Sequence, residues 1–398
     1  MARSALTLDE AIGHHGKIIK YYRHFVINPP HGWTQEQLAE ALDVSVRWVQ
    51  EMERMPFIQS VARRKALTTI FGIPRSLLDL EEHEKLSHHE TAHLQLWVID
   101  SLEVAIRTRW QLYYTSSNSV TEEGLLNQID ILEQLADNGG VDERRLYRIL
   151  SQSYQLAGSL ARDNFHYSRA KKYLREAQRL AQEAQLPDLE TTAIARQAVV
   201  LLRQERFEEA LTIYQRAASL TTRTQYYVGA YVYSGLAEAW ARNKHQTNYK
   251  TESYRALDHA QNLLAHGPSI LAEENFTYVR LTAHSLEDTR GECYMLLGEP
   301  KKGLEYLQKA SQKLDLTMNR RQCRLLMQQA EAYLAAGQPD DCVHHTLKGL
   351  QLAQALESPG NINWAREIHT KLLDSKWKSE PVVGKLGAAV IDPPQRKQ

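Results

Sequence analysis

From about Asp142 onward the chain repeats one spacing of small and bulky residues, and no other feature restricts its fold as strongly. In the first helix of each pair a small or polar residue stands three before a bulky one: Ser151 and Tyr154, Ala198 and Leu201, Ala237 and Trp240, Gly291 and Tyr294, Ala330 and Tyr333. The second helix carries a spaced trio: Ala170, Leu174 and Ala177; Ala210, Tyr214 and Ala217; Ala256, Ala260 and Leu263; Gly303, Leu307 and Ala310. A last trio, Cys342, Thr346 and Gly349, is degenerate. Small residues let two helices approach while bulky ones fill the space between, which is what a helical hairpin that stacks on its neighbours requires. Five such hairpins are expected over residues 142–377. The interval from bulky to small residue is longer between Tyr154 and Ala170 and between Trp240 and Ala256, which predicts elongated hairpins there. A chain of 398 residues exceeds what one core usually holds, and stacked hairpins remove the need for one.

The pattern resembles the tetratricopeptide repeat, most plainly in Leu201-Leu202-Arg203-Gln204-Glu205-Arg206-Phe207-Glu208-Glu209-Ala210-Leu211 and in Tyr294-Met295-Leu296-Leu297-Gly298-Glu299-Pro300. The resemblance implies an α-solenoid that binds a peptide or protein in a concave groove lined by the first helix of each hairpin. The residue after each small position is then groove-facing: Gln152, Val199, Glu238, Glu292 and Glu331, with Arg148, Gln155 and Asp288 on the same face. Glutamates in successive repeats favour a cationic peptide segment, although glutamate is also a good helix former at any exposed position.

The amino-terminal part, residues 1–81, has a different grammar. Thr34 and Gln37 stand in capping-box spacing and start a short helix whose Leu38, Ala39 and Leu42 share a face. Asp43 occupies the turn, and Ser45 caps a second helix to about Arg54, with Val49 and Met52 inward and Val46, Arg47 and Gln50 outward. Flanking helices are expected at about Leu8–Phe25, Ser60–Phe71 and Arg75–Leu80. The run Thr34-Gln35-Glu36-Gln37-Leu38-Ala39-Glu40-Ala41-Leu42, with Val44-Ser45 and Glu53-Arg54, resembles the Xre-type, λ-repressor-like helix-turn-helix family. That resemblance implies a five-helix domain in which Gln35 bonds a phosphate, Ser45 caps or touches the backbone, and Arg47 and Gln50 read bases in the major groove. Arg63, Arg64 and Lys65 would add phosphate contacts. The sequence departs from the family at Asp43 and Met55, where glycine is usual, and at Val46 and Glu51, which weaken a groove-facing surface.

Residues 82–141 read as connecting or capping helices, the first with a core stripe of Leu94, Trp97, Val98, Leu102 and Ile106. At its start, His89-Glu90-Thr91-Ala92-His93 matches the H-E-x-x-H zinc motif. The only neighbouring third ligands are Asp100 and Glu103 on the same helix, so no metal site, no cofactor and no enzyme are expected. Cys293, Cys323 and Cys342 lack C-x-x-C spacing and fit buried, reduced thiols. The start, Met1–Glu10, lacks the apolar run of a signal peptide and no stretch reaches bilayer length, which predicts a cytoplasmic protein with no membrane contact. Lysine plus arginine equals aspartate plus glutamate at 48 each, so DNA binding must rest on a local patch. Residues 378–398 read as a disordered tail. Taken together, the expected fold class is all-α, a helix-turn-helix domain followed by a solenoid of hairpins. The expected function is a DNA-binding transcriptional regulator, a likeness in architecture to the peptide-sensing regulators of Gram-positive bacteria. Its partners would be double-stranded operator DNA, a peptide or protein in the groove, and a second copy in a homodimer. The alternative is an interaction scaffold whose helix-turn-helix fold no longer binds DNA.

Overall fold

The structure is a computed structural model that describes residues 7–27, 31–80, 88–137, 142–267 and 275–391, the side chains of residues 88–95 excepted. The described residues are all-α, with no strand, and the chain forms two compact units, Met1–His93 and Leu94–Gln398.

The first unit contains α1 (Leu8–Ala11), α2 (His15–Tyr21), α3 (Gln35–Ala41), α4 (Val46–Met52) and α5 (Val61–Phe71), followed by a 3-10 turn at Arg75–Leu78. The capping box forms as its spacing predicts: Thr34 Oγ1 accepts from Gln37 N at 3.2 Å and Gln37 Oε1 accepts from Thr34 N at 2.8 Å. Asp43 takes the left-handed turn (φ 53°), a conformation that aspartate tolerates better than most residues, and Ser45 caps α4. The expected long first helix is instead broken at Gly13 (φ 81°), where the chain turns before His14 caps α2, and Tyr22–Val26 winds on as a π-helix. Ile18, Ile19, Leu38, Val49, Met52, Leu67 and Phe71 make the core. Beneath it Arg23 Nε donates to Glu53 Oε1 at 2.6 Å and its NH1 to the Trp33 carbonyl at 2.6 Å.

The second unit opens within α6 (His88–Thr115), at Leu94, and continues with α7 (Asn118–Glu122) and α8 (Leu125–Asp137). The inward stripe of α6 is Ile99, Leu102, Ile106, Trp110 and Tyr113, which pack with Leu125, Ile129 and Leu132 of α8. Trp97, expected inward, is exposed; the true stripe continues from Ile99 at helical spacing and places Trp97 on the opposite side.

Five hairpins follow: α9 (Glu143–Asp163) with α10 (Tyr167–Glu183), α11 (Pro187–Arg203) with α12 (Phe207–Leu220), α13 (Tyr226–Arg242) with α14 (Tyr249–His266), α15 (Ala283–Leu296) with α16 (Pro300–Gln312), and α17 (Asn319–Ala335) with α18 (Pro339–Ala355). Four of the intra-hairpin turns share one design, with a left-handed residue in the middle: Phe165, Glu205, Gly298 and Gly337. Proline at the first helical position then starts α16 and α18, where its missing N–H costs nothing.

Close approach within a hairpin is visible at Gly291, where a Cβ would lie 2.6 Å from Leu307 Cγ and 3.0 Å from the Gly303 carbonyl oxygen. The same contact in the first hairpin belongs to Gly158, whose Cβ would lie 2.7 Å from Leu174 Cγ. The small position of that repeat is therefore Gly158 rather than Ser151, two turns earlier, and its turn, Asn164–His166, is no longer than the others. The third hairpin does carry an elongated turn, Asn243–Asn248; there the fully buried trio is Ser253, Leu257 and Ala260.

Beyond the fifth hairpin stand α19 (Pro359–Leu373) and α20 (Pro381–Ile391). The segment expected to be a disordered tail is helical to Ile391, because Val383, Leu386 and Val390 bury against Ile368 and Leu372 at helical spacing. Residues 392–398 lie outside the described residues.

The array closes on itself. Arg320 at the start of α17 donates from Nε to the Tyr113 carbonyl at 2.6 Å, from NH1 to Asp163 Oδ2 at 2.7 Å and from NH2 to Asn118 Oδ1 at 2.8 Å. Asn319 Nδ2 reaches the Thr115 carbonyl at 2.7 Å, and the Asn118 amide donates to the Leu356 carbonyl at 2.9 Å. Thus α17 and α18 meet α6, α7 and α9, and the first helices of the hairpins surround a central space.

Candidate functional site

On the first unit, α4 displays Arg47 and Gln50 to solvent. Arg47 is 87% exposed, and its Nε lies 3.2 Å from Glu51 Oε1 one turn on. Ser45 Oγ accepts from Trp48 N at 3.2 Å and so serves as the cap. Gln35 is half-buried, and its Nε2 is engaged by Glu53 Oε2 at 2.8 Å, so a phosphate would have to compete for that donor. Val46, expected outward, packs half-buried on the core with Trp48. Of the three flanking cations, Arg64 is buried and donates to the carbonyls of Leu78 and Asp79 at 2.9 and 3.1 Å, which removes it from any surface role. Arg63 sits 4.6 Å above the Trp48 ring.

In the second unit, the inner faces of the hairpins line a cavity of about 540 Å³. It receives Glu238, Asp288, Glu292 and Glu331 of the predicted groove set, and also Val199. Ser159, the residue after Gly158, lines it as well, so the residue after the small position faces inward in all five hairpins once the first is registered on Gly158, although Ala161 there replaces the bulky residue three on. Arg148, Gln152 and Gln155 do not line it. They lie under the segment Asn275–Leu281, which runs against α6, α9 and α11. Three successive carbonyls of that segment are read by side chains from three helices. Gln152 Nε2 donates to Phe276 O at 2.7 Å, Arg196 NH2 to Thr277 O at 3.0 Å, and Tyr114 Oη to Tyr278 O at 2.7 Å. The Tyr278 ring stacks on Trp110 at 5.4 Å, Arg196 covers Trp110 at 4.4 Å, and Arg148 covers Phe276 at 4.5 Å. Gln155 is buried and accepts from Arg196.

Five of the seven carboxylates that line the cavity are ion-paired, Glu205 and Glu367 being the exceptions. Arg242 donates to Glu238 and Glu292, each at 2.9 Å, and Arg324 to Glu292 at 2.6 Å. Gln328 adds a third bond to Glu292, at 2.7 Å. Burial alone would raise the Glu292 pKa, but Arg324 and then Arg242 outweigh it and hold the carboxyl at about 2. Asp288 pairs with Arg321 at 3.1 Å, Glu331 with Lys371, and Asp163 with both Arg162 and Arg320 at 2.7 Å. An acidic groove awaiting a cationic segment is therefore not what these residues make. The lining holds nine cations, eight arginines and Lys371, against seven carboxylates. The arginines were missed because the sequence reading followed one position per repeat. The ends of the same first helices, Asp163, Arg203 and Arg242, also face inward, and their charge was the available signal.

The zinc-like motif falls in α6 where side chains lie outside the described residues. Its candidate third ligands are committed elsewhere: Asp100 to Arg145 at 2.6 Å, and Glu103 to Arg145 and to Arg148, the latter at 2.6 Å. Cys293, Cys323 and Cys342 are free and buried, and burial pushes the last two thiols up to about 12, where a nucleophilic thiolate is scarce. No helix among the described residues is long and apolar enough to cross a membrane.

The tetratricopeptide repeat family model matches residues 151–183, which is the hairpin α9–α10 registered on Gly158. Among solved structures the chain is similar to BtubC (BKLC) from P. vanneervenii, with 16% identity and a TM-score of 0.40 over 59% of this chain and 90% of that one. No curated protein matches the sequence. The array is thus an all-helical repeat fold with a tetratricopeptide hairpin, of the kind that serves protein interaction.

Proposed function

We propose that the chain is a DNA-binding transcriptional regulator whose repeat array senses a peptide or protein partner. The sensing half rests on the cavity: a recessed, solvent-reached space ringed by the first helices of the hairpins, in the size range of ligand sites. The segment Asn275–Leu281 already illustrates how helices of this unit hold a non-helical stretch of chain, through side-chain donors to successive carbonyls. The DNA-reading half rests on one observation above all, the capped helix α4 that presents Arg47 and Gln50 to solvent after a tight left-handed turn at Asp43. Arginine and glutamine at the start of such a helix match guanine and adenine edges in the major groove. Ser45 and Gln35 would add backbone contacts, Gln35 only after release from Glu53. Such operators are two-fold, so the regulator would act as a homodimer, in the cytoplasm where its operator lies.

A second reading has its own observation. Arg47 lies 3.2 Å from Glu51 on the same helix face, and a carboxylate there repels phosphate, as a protein-interaction scaffold with a retired DNA-reading helix would tolerate. A duplex selected from a random pool separates the two. Arg47→Ala and Gln50→Ala are expected to abolish its selective binding with the helical circular-dichroism signal unchanged, and retained selectivity in both variants would exclude base reading by α4.

A further inference from the structure

Three cations of the cavity lining, Arg196, Arg203 and Arg280, form no ion pair among the described residues; Arg280 donates to Met318 Sδ at 3.1 Å and covers the Tyr114 ring, and of the three only Arg203 has no polar partner for its guanidinium. Arg203 ends α11 and lines the cavity beside Val199 and Leu202. Its guanidinium faces the Trp364 ring at 5.8 Å, and it makes no hydrogen bond or ion pair among the described residues. The side chain is exposed to the solvent of the cavity, and the protein atoms that wall that space, then the nearby Arg324 charge, lower its pKa. Being an arginine, it stays protonated regardless.

None of the surrounding carboxylates pairs with Arg203, not even Glu205, which lines the cavity two residues on and forms no ion pair among the described residues. Glu238 and Glu292 are held by Arg242 and Arg324. Asp163 already serves two arginines. Glu367 influences Arg203 only through space and accepts from Asn363 Nδ2 at 2.7 Å. Arg196, which unlike Arg203 is buried, is occupied by Gln155 and the Thr277 carbonyl. A positive excess thus converges on a reachable fork walled by Trp364 and Tyr167, the latter donating to the Arg203 carbonyl at 3.3 Å. The fork is left to solvent in the free protein, and a carboxylate that accepted its two parallel N–H groups would form the charge-assisted pair that no side chain of the cavity makes.

We infer that Arg203 is the recognition point for a carboxylate-bearing ligand, and that the peptide sensed by the array is acidic. This rests on the peptide-sensing reading above but names its chemistry, opposite in sign to what the glutamates of the sequence imply. The guanidinium takes the carboxylate side-on, and Trp364 and Tyr167 flank the ligand with aromatic faces. A free dicarboxylate would present the same group, so the test carries both sources.

Calorimetric titration of the full chain would use three probes: an acetylated, amidated pentapeptide of aspartate and glutamate, its asparagine and glutamine counterpart, and glutarate. The acidic pentapeptide is expected to bind at least tenfold tighter than its amide counterpart. Arg203→Gln is expected to remove that preference, and Arg203→Lys to restore only part of it, since lysine keeps the charge and loses the fork. Arg203 holds no structural bond, so both variants are expected to keep the wild-type melting temperature or to raise it, which separates lost recognition from lost folding. Binding of glutarate alone, lost in Arg203→Gln, would uphold the carboxylate site and overturn its peptide ligand. Equal binding of the acidic and amide peptides, or an unchanged preference in Arg203→Gln, would overturn the inference while leaving peptide sensing intact.

Discussion

Glu292 concentrates the electrostatics of the cavity in one side chain. Its folded pKa, about 2, lies below the ordinary 4.5, so the ionised form stabilises the fold above about pH 4.5 and that contribution is lost as pH falls toward 2. The shift corresponds to roughly 3 kcal/mol by linkage. Acid unfolding followed by circular dichroism should therefore steepen over this window in the wild type. Glu292→Gln is expected to be less stable at neutral pH and flatter below pH 4.5; an identical acid profile would show that Arg242 and Arg324 do not depend on it. In the first unit the Arg23–Glu53 pair is 4% and 6% exposed, and removing one partner strands the other. Glu53→Ala is expected to cost about 3–5 kcal/mol in urea unfolding followed through Trp33 and Trp48. Residues governed by local rules were legible before the fold was known: Thr34, Ser45 and Asp43 take the roles that hydrogen-bond geometry and backbone sterics assign them. Residues governed by distant partners were not. Neither Glu53 claiming Gln35 nor Arg64 reaching the Leu78 carbonyl follows from spacing, and Arg203 stands out only when its neighbours are found to be paired.

At the level of the helical hairpin, steric spacing carries the fold. Gly291 abuts Leu307 and the Gly303 backbone, and the backbone cannot yield as a side chain can. Gly291→Ala is expected to cost about 1–3 kcal/mol through overpacking, read as a lowered denaturant midpoint; a neutral result would remove close approach as the reason for small residues here. The same contact corrects the reading of the first repeat. Ser151 is buried but bonds the Ala177 carbonyl, whereas Gly158 meets Leu174; Ser151 stands three before Tyr154 and Gly158 three before Ala161, so the spacing alone favours Ser151. Only the distance between facing helices tells them apart. In the third hairpin the longer turn at Asn243–Asn248 shifts the buried trio by one turn, an insertion that the interval after Trp240 did disclose. The last helix, α20, escaped because two glycines and flanking prolines mask an apolar spacing, Val383, Leu386 and Val390, that buries against α19.

On the scale of the second unit, closure decides whether a cavity exists at all. Arg320 and Asp163, 11% and 14% exposed, join the two ends of the array, and this pairing across 157 residues has no local signature in the sequence. Arg320→Ala removes three bonds to α6, α7 and α9, while Arg162 keeps Asp163 neutralised. The variant is expected to lose about 2–4 kcal/mol of stability and to show a larger radius of gyration by small-angle scattering. An unchanged radius would mean that α17 and α18 stay in place without the fork. A recessed, ligand-sized space in one unit and an exposed, capped helix in the other are what the proposed sensor and reader need. The reader is the half that a single measurement can decide. Full-length protein should be titrated with its best duplex from a random pool as salt rises from about 50 to 200 mM. A regulator that contacts several phosphates must lose affinity steeply over that range, by about a hundredfold or more. Failure of any duplex to be enriched, or an affinity indifferent to salt, would contradict DNA reading by α4.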